Sequence, residues 1–305
     1  MSLNTNNRVI PILQALLVTF LWSTSFIIIK WGLVEINPIN YAGLRYFIAF
    51  LCFVPFIFNR KYIVEIKQLK SVQIKKLILL GLIFYSVTQG AQFLGLSLLS
   101  SVTVSLMLNF TPLIVAVIGM FLIDEKLSVL QWIGSIIFII GILTYFLPIS
   151  IAGNKGIGLV IMFIGVLANA GAAVIGREIN RSGSISPLVV TFISMGAGAI
   201  VLIIAGFMFE GFPTINMKTG IYILWLAVIN TAFAFTLWNL TLRSLTAIES
   251  SIINGTMLIQ IAILAYYFLD EEISLQKGIG MVIAAAGVIL VQIKKRKSPD
   301  TALLN

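Results

Sequence analysis

The sequence predicts an all-α integral membrane protein: ten transmembrane helices in two inverted five-helix repeats. Three observations predict it: a composition too apolar for water, ten apolar stretches of bilayer length, and a residue pattern that recurs after 146 positions. Of 305 residues, 59% are hydrophobic and 10% charged, with a mean hydropathy of +1.07. A soluble domain is about a quarter charged. The net charge of +9 arises from 20 Lys and Arg against 11 Asp and Glu, so its meaning depends on where the charges sit. Histidine is absent, which excludes His-ligated metals, His-based catalytic dyads and histidine proton relays. The one cysteine, Cys52, lies in an apolar run, which excludes an internal disulfide and a zinc site built from cysteines. No metal and no cofactor are expected.

A hydrocarbon core of about 30 Å takes about 20 helical residues. Apolar stretches of this length run near 10–30, 39–58, 77–97, 101–123, 129–148, 157–176, 187–208, 220–240, 248–269 and 276–293. Leu77 to Leu99 and Lys218 to Leu242 are the least interrupted. Asp124-Glu125-Lys126-Leu127-Ser128 makes a tight polar hairpin between the fourth and fifth, and little more than Ser100-Ser101 parts the third and fourth. Links this short leave no room for a soluble domain. The first stretch is too long for a cleavable signal peptide, and no small-residue cleavage site follows it.

Direction follows from the distribution of Lys and Arg. With the N-terminus cytoplasmic, fifteen of them face inward: Arg8; Arg60, Lys61, Lys67, Lys70, Lys75 and Lys76; Lys126; Arg177 and Arg181; Arg243; Lys294, Lys295, Arg296 and Lys297. Lys30, Lys155, Lys218 and Lys277 face outward. Both termini are therefore expected in the cytoplasm, and the protein is expected in the cell (plasma or inner) membrane.

Asp124-Glu125 superposes on Asp270-Glu271, and in the same register Ser128 falls on Ser274, Gly134 on Gly280 and Gly141 on Gly287. Nearer the start of each half, Lys30 lies close to Arg177 and Pro38 close to Pro187. The repeats are read as 8–148 and 155–296, followed by a short tail, 297–305. Five spans is an odd number, so the second copy enters the bilayer upside down. The charges agree: six Lys and Arg follow the second span, while the counterpart stretch near Glu210 to Lys218 has one. Inverted repeats of this kind are a mark of secondary transporters, with cargo held near the midplane between the halves.

Trp22-Ser23-Thr24-Ser25-Phe26, then Lys30, Pro38 and Arg45-Tyr46-Phe47-Ile48-Ala49, with Glu125 and Glu271 each followed by a spaced glycine, form a recognisable set. The sequence resembles the EamA branch of the drug/metabolite transporter superfamily, over residues 8 to 296. It departs from the family pattern at Ser23, usually glycine, and at Leu258, the counterpart of Pro112. The resemblance implies ten helices, cytoplasmic termini, and export or exchange of small metabolites, often amino acids.

Candidate pathway residues are polar or aromatic groups that share a helix face. Tyr85, Gln89 and Gln92 do so in the third span, and their counterparts Thr231, Phe235 and Trp238 do so in the eighth. Such stripes face protein or a wet cavity rather than lipid, as interhelical hydrogen bonds or as cavity lining. The fourth span carries Ser105, Asn109 and Pro112; the proline strains the carbonyl near Leu108 and marks a bend or gate. Asn254-Gly255 in the ninth span is read as a matching loose point. Asn169 and Asn230 lie deep in their spans, and Trp22 is either an aromatic wall or simple packing. Arg45 is either a contact for a substrate carboxylate or an interfacial anchor, snorkelling outward or paired with Glu35. Glu249 is the one acid worth testing as a coupling group, against the alternative of a helix-dipole charge. Gly280, Ala284 and Gly287, like Ala168, Ala172 and Gly176, read as close-packed helix seams.

The leading function is alternating-access transport, by an exporter or exchanger, of a small organic metabolite such as an amino acid. The alternatives are a flippase for a lipid-linked metabolite and a membrane-embedded enzyme. The enzyme reading lacks histidine, HExxH and G-x-S-x-G motifs, and an aspartate deep in any span. The expected partners are the small-molecule substrate and membrane lipids, with the basic 60–76 stretch on anionic headgroups. Nucleic acid is not expected, and the protein is read as monomeric.

Overall fold

The computed structural model describes residues 6–123, 128–147, 154–181, 183–242, 244–245 and 247–292. Ten helices are long and apolar enough to cross a membrane: Val9–Gly32, Pro38–Ile57, Ser71–Leu98, Ser101–Met120, Val129–Phe146, Asn154–Ile179, Pro187–Glu210, Met217–Thr241, Ile252–Leu269 and Leu275–Gln292. They are the first to tenth spans below. No strand occurs among the described residues. The Asp124–Lys126 part of the predicted hairpin and the tail from 293 onward, with its four basic residues, lie outside the described residues.

The basic stretch after the second span holds an element that the apolar pattern did not predict, the helix Arg60–Gln68. Asn59 caps it by accepting from the Lys61 backbone N–H at 3.0 Å. Its Tyr62 and Ile66 pack on Leu77, Ile179 and Val189, which leaves the lysines to solvent. The third span starts at Ser71, about two turns before its apolar run, because Gln73 folds back to accept the Lys70 N–H at 2.9 Å.

Spans five places apart in the chain share packing roles. The second and seventh lie against one another, and so do the fifth and tenth. The first packs on the eighth and ninth, as the sixth packs on the third and fourth. The fifth–tenth seam is built from glycine: a Cβ at Gly134 would stand 2.9 Å from the Gly287 carbonyl, and one at Gly280 would stand 2.8 Å from that of Gly141. In lipid, where apolar surface gains little by hiding, such close approach supplies the attraction. The seam reading of Gly280, Ala284 and Gly287 therefore holds. The largest core cluster joins Tyr41, Tyr46, Phe93, Met162, Met195 and Leu226 from the second, third, sixth, seventh and eighth spans. Apolar residues such as Ile136, Ile140, Phe163 and Val282 are exposed on the perimeter, where lipid would meet them.

Candidate functional site

Three departures from the α-helix shape the centre of the bundle. In the fourth span the helix Ser101–Leu108 stops and a second one, Thr111–Ile123, begins. Pro112 has no N–H to donate and its ring crowds the preceding turn. The chain tightens before it: Asn109 N–H reaches Ser105 and Leu106, Phe110 N–H reaches Met107, and the Asn109 amide donates to the Ser105 carbonyl at 2.8 Å.

The other two departures are π-helical turns, Leu82–Thr88 in the third span and Val228–Phe233 in the eighth. Their first residues are 146 positions apart, the register of the sequence repeat. Each holds a threonine hydroxyl bonded five residues back, Thr88 to the Ile83 carbonyl at 3.1 Å and Thr231 to the Leu226 carbonyl at 2.8 Å. A π turn adds one residue per turn and rotates everything beyond it.

Between these segments lies a cavity of about 370 Å³. Its lining includes Trp22, Arg45, Tyr46, Thr88, Gln89, Gln92, Ser105, Asn109, Pro112, Asn169, Phe235, Asn254 and Gly255. It extends to Gln292, the last residue of the tenth span. Among the described residues, no carboxylate and no second cation lines it.

Arg45 is the one charge on the wall among the described residues. It lies eight residues into the second span and is 3% exposed. Its Nε donates to Thr231 Oγ1 at 2.9 Å, and its guanidinium carbon sits 5.2 Å from the Tyr46 ring and 6.0 Å from the Phe93 ring. The π turn is what presents the Thr231 hydroxyl to it. The snorkelling anchor and the Glu35 pair are both corrected by this placement, since Glu35 accepts instead from Asn216 at 3.2 Å. A charge at bilayer depth costs about 2.5–3.5 kcal/mol on insertion scales, so such residues mark functional positions by default.

Aromatic rings form the facing wall. Trp22 meets Phe235 at 5.2 Å and Trp238 at 5.3 Å between centroids, and the Trp22 Nε1 is buried without a partner among the described residues. Gln89 accepts from the Tyr46 hydroxyl at 2.6 Å. The Asn169 amide donates to Thr111 Oγ1 at 3.0 Å.

At the end of the bundle away from Gln292, the lining stops short of Lys30, Leu99, Ser101 and Glu271. There Lys30 Nζ donates to the Leu99 carbonyl at 2.7 Å, at the end of the third-span helix. Glu271 accepts the backbone N–H groups of Ser101 at 2.7 Å and Val102 at 3.4 Å, at the start of the fourth. Both charges complement the helix ends they touch. Glu271 is aimed by the turn before it. Asp270 takes φ +53°, a left-handed value Asp tolerates, and the Glu271 N–H returns to the Ala265 carbonyl at 3.2 Å. The same end carries Glu210, which accepts from Ile39 at 3.0 Å and Asn40 at 2.8 Å. We call this the sealed end. At the opposite, basic end, Glu65 of the short helix accepts the Ser186 N–H at 2.5 Å and Lys76 pairs with Glu178 at 2.6 Å.

Of the residues singled out in the sequence, Trp22, Arg45, Gln89, Gln92, Asn109, Pro112, Asn169, Phe235, Asn254 and Gly255 share the cavity. Four do not. Tyr85 is buried against Tyr46 at 5.5 Å, because the π turn rotates it away from Gln89 and Gln92. Asn230 donates to Thr24 Oγ1 at 3.1 Å and to the Leu21 carbonyl, which makes it an interhelical clamp. Trp238 stands behind Trp22 rather than on the lining. Glu249 sits in the first turn of its helix, half-buried and off the lining. The predicted bend at Asn254-Gly255 is corrected, since the helix Ala247–Leu269 runs through both; Leu258 takes the place that Pro112 has in the other half. Sequence reasoning missed Tyr46, Thr88 and Gln292, the first read only as part of a motif and the others hidden by the π turn and the helix end.

Comparison with known proteins gives a consistent result. A sequence model of the EamA-like transporter family matches residues 9–147 and again 156–293. The uncharacterized transporter YoaV of Bacillus subtilis is 26% identical over 284 residues, covering 90% of this chain and 93% of its own. An uncharacterized transporter of Archaeoglobus fulgidus is 26% identical over 290 residues, covering 92% and 96%. A crystal structure at 15% identity superposes with a TM-score of 0.66 over 92% of this chain and 96% of that one, which shows the shared fold.

Proposed function

Because the chain belongs to the EamA-like transporter family, we propose that it is a secondary transporter of a small organic metabolite, working as an exporter or exchanger by alternating access. The observation that carries this reading is the central polar cavity, stopping short of Lys30 and Glu271 at one end and reaching Gln292 at the other. The two family matches, the paired π turns and the exchange of packing roles between spans five apart support two inverted repeats as the moving halves. Under this reading the basic end faces the cytoplasm with both termini, and the present state is open inward.

The family favours metabolites of amino-acid size, and a cavity of about 370 Å³ is at the small end for ligand pockets. With no carboxylate on the lining among the described residues, exchange or facilitated movement fits better than proton antiport. The test is counterflow into proteoliposomes loaded in turn with amino acids and organic acids. Uptake that depends on the internal load supports the proposal. Correctly inserted protein that moves none of these across the bilayer removes it.

A further inference from the structure

Arg45 is a buried cation without a counter-ion. Its Nε is occupied by Thr231, but neither terminal guanidinium nitrogen has an acceptor among the described residues. The nearby acids are engaged elsewhere: Glu210 on Ile39 and Asn40, Glu271 on Ser101 and Val102, Glu35 on Asn216. Two groups that share the cavity with the guanidinium are donors as well. The Gln89 oxygen is taken by the Tyr46 hydroxyl, which leaves its NH₂ to donate, and the Trp22 indole N–H is orphaned. Opposite them stands the apolar Trp22–Phe235 wall.

From this arrangement we propose that the cavity binds a small organic monocarboxylate as its net-negative ion, the carboxylate seated on Arg45 with Gln89 and the carbon chain against Trp22 and Phe235. The planar fork of a guanidinium matches a carboxylate in two parallel hydrogen bonds. One cation and no anion among the described lining residues means that a monoanion leaves that lining neutral. A phosphate dianion would require a second cation, and none lines the wall among the described residues. A zwitterionic amino acid would place its ammonium among neutral amides with no carboxylate to meet it. The proposal rests on the transport reading above and narrows its cargo from amino acids to organic acids.

The test uses the detergent-purified full chain and four probes: 4-methyl-2-oxopentanoate, leucine and isopentylamine, which share an isobutyl group, and inorganic phosphate. Thermal unfolding reads binding, because a ligand of the folded state raises the apparent Tm. The oxo acid is expected to raise Tm, and the other three to leave it within error. Arg45→Gln is expected to weaken binding of the acid by about tenfold to a hundredfold, the loss of charged hydrogen bonds. Should that variant not fold, Gln89→Glu gives the second measurement. It supplies the missing counter-ion, so the empty protein unfolds at or above the wild-type Tm and no longer responds to the acid. The proposal is overturned if the acid produces no shift at millimolar concentration. It is also overturned if Gln89→Glu or a folded Arg45→Gln binds the acid as well as wild type, or if leucine, the amine or phosphate binds better. Counterflow separates this from the transport reading: leucine or amine moving without the acid keeps transport and removes the carboxylate site. Arg45-dependent binding with no movement of any probe does the reverse.

Discussion

The two ends of the bundle use one chemical device to different extents. Along the second and seventh spans, a carboxylate caps a helix start at both ends: Glu210 holds Ile39 and Asn40, and Glu65 holds Ser186. That pair is fastened top and bottom. Along the fourth and ninth spans, the sealed end has its cap, Glu271 on Ser101 and Val102. In the register of the repeat, Glu125 is the counterpart of Glu271 and Ala247 that of Ser101. Glu125 lies outside the described residues. The difference teaches that the closure rests on carboxylates holding backbone N–H groups, not on ion pairs between side chains. At the basic end the Lys76–Glu178 ion pair has side chains 45% and 64% exposed, and exposed pairs contribute little. Under the proposed alternating access, the expected exchange is of one cap for its counterpart.

The comparison breaks most visibly at Glu271. Losing the short charged bond from Ser101 costs about 1.5–3 kcal/mol, the long one from Val102 adding little, so Glu271→Ala is expected to move the closed–open equilibrium of the sealed end by about tenfold to a hundredfold. In a Cys52→Ala background, Gln92→Cys reports on the cavity. An impermeant maleimide added on the sealed side is expected to label it slowly with Glu271 present and rapidly without. Counterflow falls in parallel. Unchanged labelling would mean that the apolar packing beneath the cap closes this end by itself.

Glu125→Ala sharpens the comparison from the other side. It is expected to leave the Tm of the present state unchanged, to lower counterflow by a similar factor, and to reduce labelling from the sealed side. Its effect on accessibility is therefore opposite in sign to that of Glu271→Ala. Two variants that shift labelling in the same direction would remove the exchange of caps.

Pro112→Ala comes next. It returns a backbone donor to the middle of the fourth span, and an interior proline costs a helix about 3 kcal/mol. Part of that is already recovered by the tightened turn at Asn109 and Phe110. The variant is expected to raise Tm by a few degrees and to slow counterflow, because a straight fourth span no longer leaves room beside Asn109. A faster transporter would show that the break is passive.

Most of the fold was legible because the bilayer imposes length and polarity on every span, and the glycine seam and charge bias are written in residue type. The site was legible in part, and the misses share one cause. Placing Tyr85 with Gln89 and Gln92 assumed an unbroken 3.6-residue period, yet the π turn Leu82–Thr88 inserts a residue between them and turns Tyr85 into the core. The same insertion delivers Thr231 to Arg45, which is why the arginine reads as an anchor in sequence and stands as a cavity wall in the structure. No propensity distinguishes that turn from ordinary helix. Its trace was the threonine whose hydroxyl bonds five residues back.

The two π turns give the finest comparison, because only one of their two threonines also meets a charge. Thr88 bonds only to the Ile83 carbonyl, whereas Thr231 bonds to the Leu226 carbonyl and also accepts from Arg45. Thr88→Val is expected to cost about 1 kcal/mol, one neutral hydrogen bond, with the isosteric side chain filling the same space. Thr231→Val loses that bond and leaves the Arg45 Nε–H buried without an acceptor, which adds about 1–3 kcal/mol. Thermal unfolding in detergent therefore separates the pair, with Thr231→Val the lower. The added loss is expected to disappear in an Arg45→Gln background, since the orphaned charge is gone. Equal costs in both backgrounds would show that Thr231 holds only its own helix, and that the orientation of Arg45 is fixed by Tyr46 and Phe93 instead.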